Sequence, residues 1–259
     1  MKLIRIIPIL LIKDNLLVKG EQFENHNYVG DVYNAVKIFS EKKAHEIILV
    51  DISVREKQKI FDIDLIKKIK NEIFIPLTIG GGINTLDQAS MIIDQGVEKI
   101  SLNSVMQENP KIVEEIAKKF GSQSVVVSVD VKKIHNEYKI FFRNGDVISD
   151  LSLKSYLKNL ENLGAGEILL TSIDNEGKKI GFDHELYEEI ENDVNLPLIA
   201  GGGASNLESF EELFSKTKIS SACAGTTFVY YGSRKAVLIN YPTSETLEKI
   251  LNKYESNSQ

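Results

Sequence analysis

The sequence predicts an α/β chain folded as one closed (β/α)8 barrel over residues 1–259, and three observations lead there. Short runs of β-branched and apolar residues recur along the whole chain. Segments of helical period separate those runs. The second half of the chain then repeats the pattern of the first. Strands that alternate with helices pair in parallel. Eight such units in a chain of 259 residues fit a closed barrel better than an open, doubly wound sheet.

The first run is "RIIPILLI" (5–12). Counting in twos from Arg5 places Ile7, Ile9, Leu11 and Lys13 on one face of that strand. "EIILVDI" (46–52), "IPLTIG" (75–80) and "VEKISLN" (97–103) follow, with the amphipathic helix "TLDQASMIIDQG" (85–96) between the last two. "NPKIVEEIAKKFG" (109–121) reads as the next helix. It leads to the strands "SVVVSVD" (124–130), "GEILLTS" (166–172), "LPLIAG" (196–201) and "ISSACAG" (219–225). Residues 75–105 line up with residues 196–227. Each contains an apolar strand, a triple-glycine turn, an Asn or Ser near a helix start, a helix, and a strand ending in a small polar pair. "EIILVDIS" (46–53) likewise echoes "EILLTSID" (167–174). A (β/α)4 unit used twice in a single domain, without a linker, is the expected plan.

Composition narrows the class. Hydrophobic content of 42% and charged content of 26% suit a soluble globular protein with a sizeable core. A net charge of −6 argues against a nucleic-acid binder. The single cysteine, Cys223, cannot form an intrachain disulfide and reads as a small buried side chain. Four scattered histidines give no metal-ligand spacing. The opening apolar run is interrupted by Arg5 and lacks a small-residue cleavage site, so it reads as a strand and not as a signal peptide. No run reaches the ~18 apolar residues of a membrane span. A cytoplasmic enzyme or enzyme subunit is expected, with no cofactor and no metal.

In such a barrel the chemistry belongs at the carboxyl ends of the strands. Gly80-Gly81-Gly82, Asn84 and the helix start after them offer backbone N–H groups for an anion, and Asn103-Ser104 could complete the cradle. Gly201-Gly202-Gly203, Ser205 and Gly225-Thr226 stand in equivalent places in the second half. Two matched cradles suggest a ligand with two anionic ends, or descent from an enzyme that bound one. Lys19, Asp51, Asp130, Thr171 and Asp174 reach the same mouth. Asp130 follows an apolar run, a setting that raises a carboxyl pKa and suits acid catalysis; a carboxylate capping the next turn is the plainer alternative.

The strand starts are also charged. Arg5, Glu46, Lys99 and Glu167 begin their strands on the faces that later deliver polar groups to the mouth. Two cations and two anions on a barrel floor can neutralise one another. They could be a structural salt-bridge cluster or a polar gate into the barrel axis, and spacing leaves both open.

Over nearly its whole length the chain resembles the cyclase subunit of imidazole glycerol phosphate synthase, the HisF family, a (β/α)8 barrel. The motifs that carry the resemblance are "VKG" (18–20), "VDI" (50–52), "GGGI" (80–83), "FGSQSVVVSVD" (120–130), "GAGEILLTSID" (164–174) and "GGGA" (201–204). In that family a HisH-like glutaminase docks on the barrel floor and passes ammonia through the barrel. The resemblance implies that Arg5, Glu46, Lys99 and Glu167 form the ammonia gate, and Glu98 is a candidate contact with the glutaminase. It implies phosphate binding by Gly81, Gly82, Asn103, Ser104, Gly177, Gly202, Gly203, Gly225 and Thr226, the last lying near a one-residue shift. It also implies catalysis by Asp130, with Lys19 and Asp51 beside it.

The family's other catalytic aspartate corresponds to Leu11, which can neither donate nor accept a proton. Glu176 stands where the family usually has Asp, and Gly201 where it usually has Ser. These departures, with "IPILLIKDNLLVKG" and "KAVLINYPT" (235–243), resemble the cyclase-like proteins of surface-polysaccharide clusters (the WbuZ, or glycosyl amidation-associated, type). That likeness implies an ammonia-channelling subunit working with a glutaminase and a sugar N-acetyl amidotransferase, which together turn an N-acetyl group into an acetamidino group. The alternative is the cyclase subunit itself, in histidine biosynthesis. No nucleotide-binding loop is present, so any ATP chemistry would belong to a partner.

Overall fold

A computed structural model describes residues 4–54, 60–232 and 234–257, with side chains up to Ile250. Eight parallel strands make the barrel: β1 (Arg5–Lys13), β2 (Ile47–Asp51), β3 (Leu77–Gly80), β4 (Lys99–Leu102), β5 (Val125–Ile134), β6 (Glu167–Ser172), β7 (Leu198–Gly201) and β8 (Ser221–Ala224). Each pairs with the next in sequence. β8 pairs with β1 through Arg5 opposite Ser221, so the sheet has no open edge. The (β/α)8 expectation holds, and every expected strand forms in its place.

The helices α1 (Val32–Glu41), α2 (Ile63–Lys70), α3 (Leu86–Ile93), α4 (Ile112–Phe120), α5 (Leu153–Leu163), α6 (His184–Ile190), α7 (Leu207–Lys216) and α8 (Ser244–Asn257) follow the strands in order. Their starts are written locally. Ser152 accepts the Ser155 N–H to cap α5, and Gly164 closes that helix in the left-handed region. Ile112, Val113 and Ile116 give α4 one buried stripe against the barrel. Among the described residues no helix is long and apolar enough to cross a membrane.

Two hydrophobic cores result. The larger lies between strands and helices, where Ile6, Leu10 and Ile12 of β1 point outward. The smaller fills the barrel axis with Ile7, Ile48, Val126, Leu169, Ile199 and Cys223. The parity count on β1 therefore holds. The twofold repeat is also visible in the backbone: a Cβ on Gly81 would lie 2.3 Å from Asp51 O, and one on Gly202 would lie 2.4 Å from Ser172 O. Both residues have positive φ, so each half needs glycine at the same turn for the same two reasons.

The hairpins were not legible as separate elements. Leu16–Glu21 and Glu24–Asp31 fold antiparallel onto the end of β1. Glu137–Phe142 and Val147–Ser152 do the same on β5, which is why that strand runs on to Ile134 instead of stopping at Asp130. A two-stranded ribbon, Tyr230–Tyr231 with Ala236–Val237, follows β8. All are extensions of barrel strands or of the loops that rim the mouth.

Candidate functional site

At the floor, the four charged strand starts meet in a closed ring. Arg5 Nη1 lies 3.0 Å from Glu46 Oε2, and Arg5 Nη2 lies 2.8 Å from Glu167 Oε1. Lys99 Nζ completes the ring at 3.0 Å from both Glu46 Oε2 and Glu167 Oε2. Two residues outside the expected set join it. Thr78 Oγ1 donates to Glu46 Oε1 at 2.7 Å, and Arg5 Nε donates to Ser221 Oγ at 3.0 Å. Each is a polar residue within an apolar strand, and that was the available signal. Glu98 lies beside the ring, engaged by Lys70 Nζ at 2.9 Å and by the Leu77 N–H at 2.8 Å, with 42% of its side chain exposed.

Above the ring sits the apolar axial cluster, and above that a cavity of about 390 Å³ opens at the mouth. Its walls include Ile9, Leu11, Lys19, Asp51, Asp130, Thr171 and Glu176, and its lower wall reaches Leu169 and Cys223. The structure thus brings Lys19, Asp51, Asp130 and Leu11 into one chamber, as the sequence expected. Asp174 does not line it; its Oδ2 accepts the Lys133 N–H at 2.8 Å. Cys223 is a buried free thiol, pushed up by burial.

Asp130 is 7% exposed. Asn103 Nδ2 donates to its Oδ2 at 2.8 Å and also to Ser128 O at 3.2 Å. Burial drives its carboxyl up to about 7, the Glu176 charge pushes the same way, and the Asn103 hydrogen bond opposes both. It caps no turn. Asp51 does, accepting the Ser53 N–H and Oγ–H on one oxygen, each at 2.8 Å. His26 and Phe23 of the first hairpin also reach the cavity, and burial holds the His26 imidazole low.

The two expected cradles differ. Gly81, Gly82, Asn103 and Ser104 face the cavity. Of the second set only Gly202 does, beside Gly201; Gly177, Gly203, Gly225 and Thr226 do not line it. A Cβ on Gly203 would lie 2.0 Å from Gly181 O, Gly177 is pressed against Gly20 and Glu21, and the Lys19 stem crosses Gly225. Thr226 Oγ1 is nevertheless buried without a partner, which fits an acceptor oxygen arriving there.

A second expectation changes as well. The α3 start is closed by its own capping box: Gln88 N donates to Thr85 Oγ1, while Gln88 Oε1 accepts from Asn84 and Thr85. At α7 the Asn206 side chain accepts the Ser209 N–H, a cap without the reciprocal bond. Two short helices, Val105–Glu108 after Ser104 and Thr226–Val229 after Gly225, start without a side-chain cap. In each half, a turn without a side-chain cap therefore stands at the end of the strand that follows the glycine turn.

The family described as "Histidine biosynthesis protein" matches residues 5–235. Two relatives are named "Putative imidazole glycerol phosphate synthase subunit", HisF in Leptospira borgpetersenii and hisF2 in Pseudomonas aeruginosa. They are 43% and 42% identical, over 95% and 94% of this chain and 98% of each relative. "Imidazole glycerol phosphate synthase subunit HisF" of Hydrogenobaculum sp. is 41% identical over 86% of this chain and 89% of its own length. The chain belongs to the HisF family of histidine biosynthesis proteins.

Proposed function

We propose that this HisF-family barrel receives ammonia at its floor from a HisH-like glutaminase and delivers it to an acceptor in the mouth cavity. The observation that carries the reading is vertical order along one axis: the ring of Arg5, Glu46, Lys99 and Glu167, then an apolar layer, then Asp130 beside a chamber with an anion cradle. Neutral ammonia can cross apolar side chains, whereas ammonium pays the cost of burying a charge. A sealed route therefore keeps the nucleophile in its reactive form.

For the acceptor, the names of the relatives support the imidazole glycerol phosphate synthase reaction, and we read its substrate as the bisphosphorylated ligand the family resemblance implies, seated with one phosphate at Gly82, Asn103 and Ser104. The other would need the second cradle to open around Thr226. One observation favours a second reading. Leu11 is part of the cavity wall at the position where the family resemblance puts an acid, and an acceptor held by a separate sugar N-acetyl amidotransferase would not need it. In that case the barrel is a conduit, and the amidine forms on the partner.

Supplying ammonia directly separates the two. The purified chain is mixed with saturating ammonium salt near pH 8.5 and the bisphosphorylated substrate. Turnover within about tenfold of an authentic cyclase is the expected result for the first reading. Absence of turnover overturns it and leaves the sugar acceptor.

A further inference from the structure

Lys19, carried by the first hairpin, meets Glu176 Oε1, carried by the loop after β6, and this ion pair has no task in the reading above. The side chains are only 5% and 15% exposed. The lysine stem runs above β8: a Cβ on Gly225 would lie 3.0 Å from Lys19 Cε and 2.9 Å from Ile9 O. The Glu176 carboxylate is thereby held on the β1–β8 side of the chamber, and Asp130 faces the chamber from β5 on the opposite wall. The loop is fixed by backbone as well, because Gln22 N donates to Glu176 O at 3.0 Å.

The other carboxylates of the cavity are committed elsewhere. Asp51 takes both Ser53 donors on one oxygen, and Glu108 is 69% exposed and paired with Arg143. Leu11 brings no proton-carrying group. We propose that Asp130 and Glu176 are the proton-transferring pair of the mouth, with Lys19 positioning Glu176.

The proposal rests on the first reading above, in which ammonia reaches a carbonyl carbon in this chamber. The ammonia lone pair forms the C–N bond while the carbonyl π pair moves to oxygen. Asp130, as the acid, gives its proton to that oxygen. The new N–H⁺ gives a proton to the Glu176 carboxylate. The adduct is neutral, and the pair ends as one carboxylate and one acid, as it began with roles exchanged. Burial and the Glu176 charge keep part of Asp130 protonated near neutrality, the form this step requires.

The test compares wild type with Glu176→Gln and Glu176→Asp. In the ammonium assay Glu176→Gln is expected to lose ~10²-fold or more in kcat with KM nearly unchanged, and Glu176→Asp to recover part of it. Equal kcat in Glu176→Gln and wild type overturns the proposal. A second readout needs no turnover: ¹³C-carboxyl NMR titration of labelled Asp130. Its midpoint drops in Glu176→Gln if the carboxylates face one chamber, and an unchanged midpoint overturns the pair. A wild type that turns nothing over overturns the cyclase reading and the pair with it, whereas turnover with equal kcat in Glu176→Gln overturns the pair alone.

Discussion

The floor and the mouth of this barrel hold comparable numbers of charges and treat them in opposite ways. At the floor every carboxylate of the ring touches two cations, and every cation two carboxylates. At the mouth, Asp130 is buried with only an amide donor, and Lys19 and Glu176 are locked to each other. Balanced charge is tolerated in a closed space. Unbalanced charge is a chemical asset, because a group that costs stability in its ionised form is ready to exchange a proton.

Mutations should separate the two regimes, the most costly first. Glu46 is 3% exposed at its side chain and holds Arg5, Lys99 and Thr78 together. Glu46→Ala leaves Glu167 alone to balance two cations in a closed space and is expected to cost ~3–5 kcal/mol by denaturant unfolding. A loss under about 1 kcal/mol would mean that the ring is effectively solvated.

The mouth predicts a dependence on pH. Asp130 is raised from 3.8 to about 7 on folding, so between those values the native state holds a proton that the unfolded chain releases. Its contribution to stability is greatest below pH ~4 and is lost as pH rises toward ~7, by about 1.4 kcal/mol for each pH unit. Asp130→Asn should flatten that slope and be more stable than wild type at pH 8. An identical slope in both proteins would show that Asp130 ionises normally.

Lys99→Ala should change stability least. Arg5 still reaches both Glu46 and Glu167, so the fold survives. The route is altered, and glutamine hydrolysis by an added glutaminase is expected to proceed without matching product at the mouth. Equal coupling in Lys99→Ala and wild type would reduce the ring to a structural cluster.

Parity and repeat made much of this site readable. Arg5, Glu46, Lys99 and Glu167 were expected on one face because side chains alternate along a strand, and that face is the barrel axis. The glycine turns were expected from the triplets matched in the two halves, and Gly81 and Gly202 prove to need both positive φ and backbone clearance. Three features were not readable. Whether Gln88 turns back onto Asn84 and Thr85 or leaves those N–H groups free depends on a side-chain rotamer. Whether the second cradle opens depends on Gly181 lying over Gly203, a contact between two loops. Glu176 drew notice only as a departure from a pattern, and its meeting with Lys19 spans 157 positions of chain.

By itself the sequence determined the eight strands, the helices between them, the twofold repeat and the faces on which charges would lie. Those are consequences of periodicity, glycine geometry and capping, which act over a few residues. Tertiary structure decided that the floor charges form a closed ring, that the first glycine turn faces the cavity while most of the second does not, and that burial raises the Asp130 carboxyl. Each of these depends on which distant loop excludes water from a given atom. Barrel closure fixes that exclusion; local pattern does not encode it.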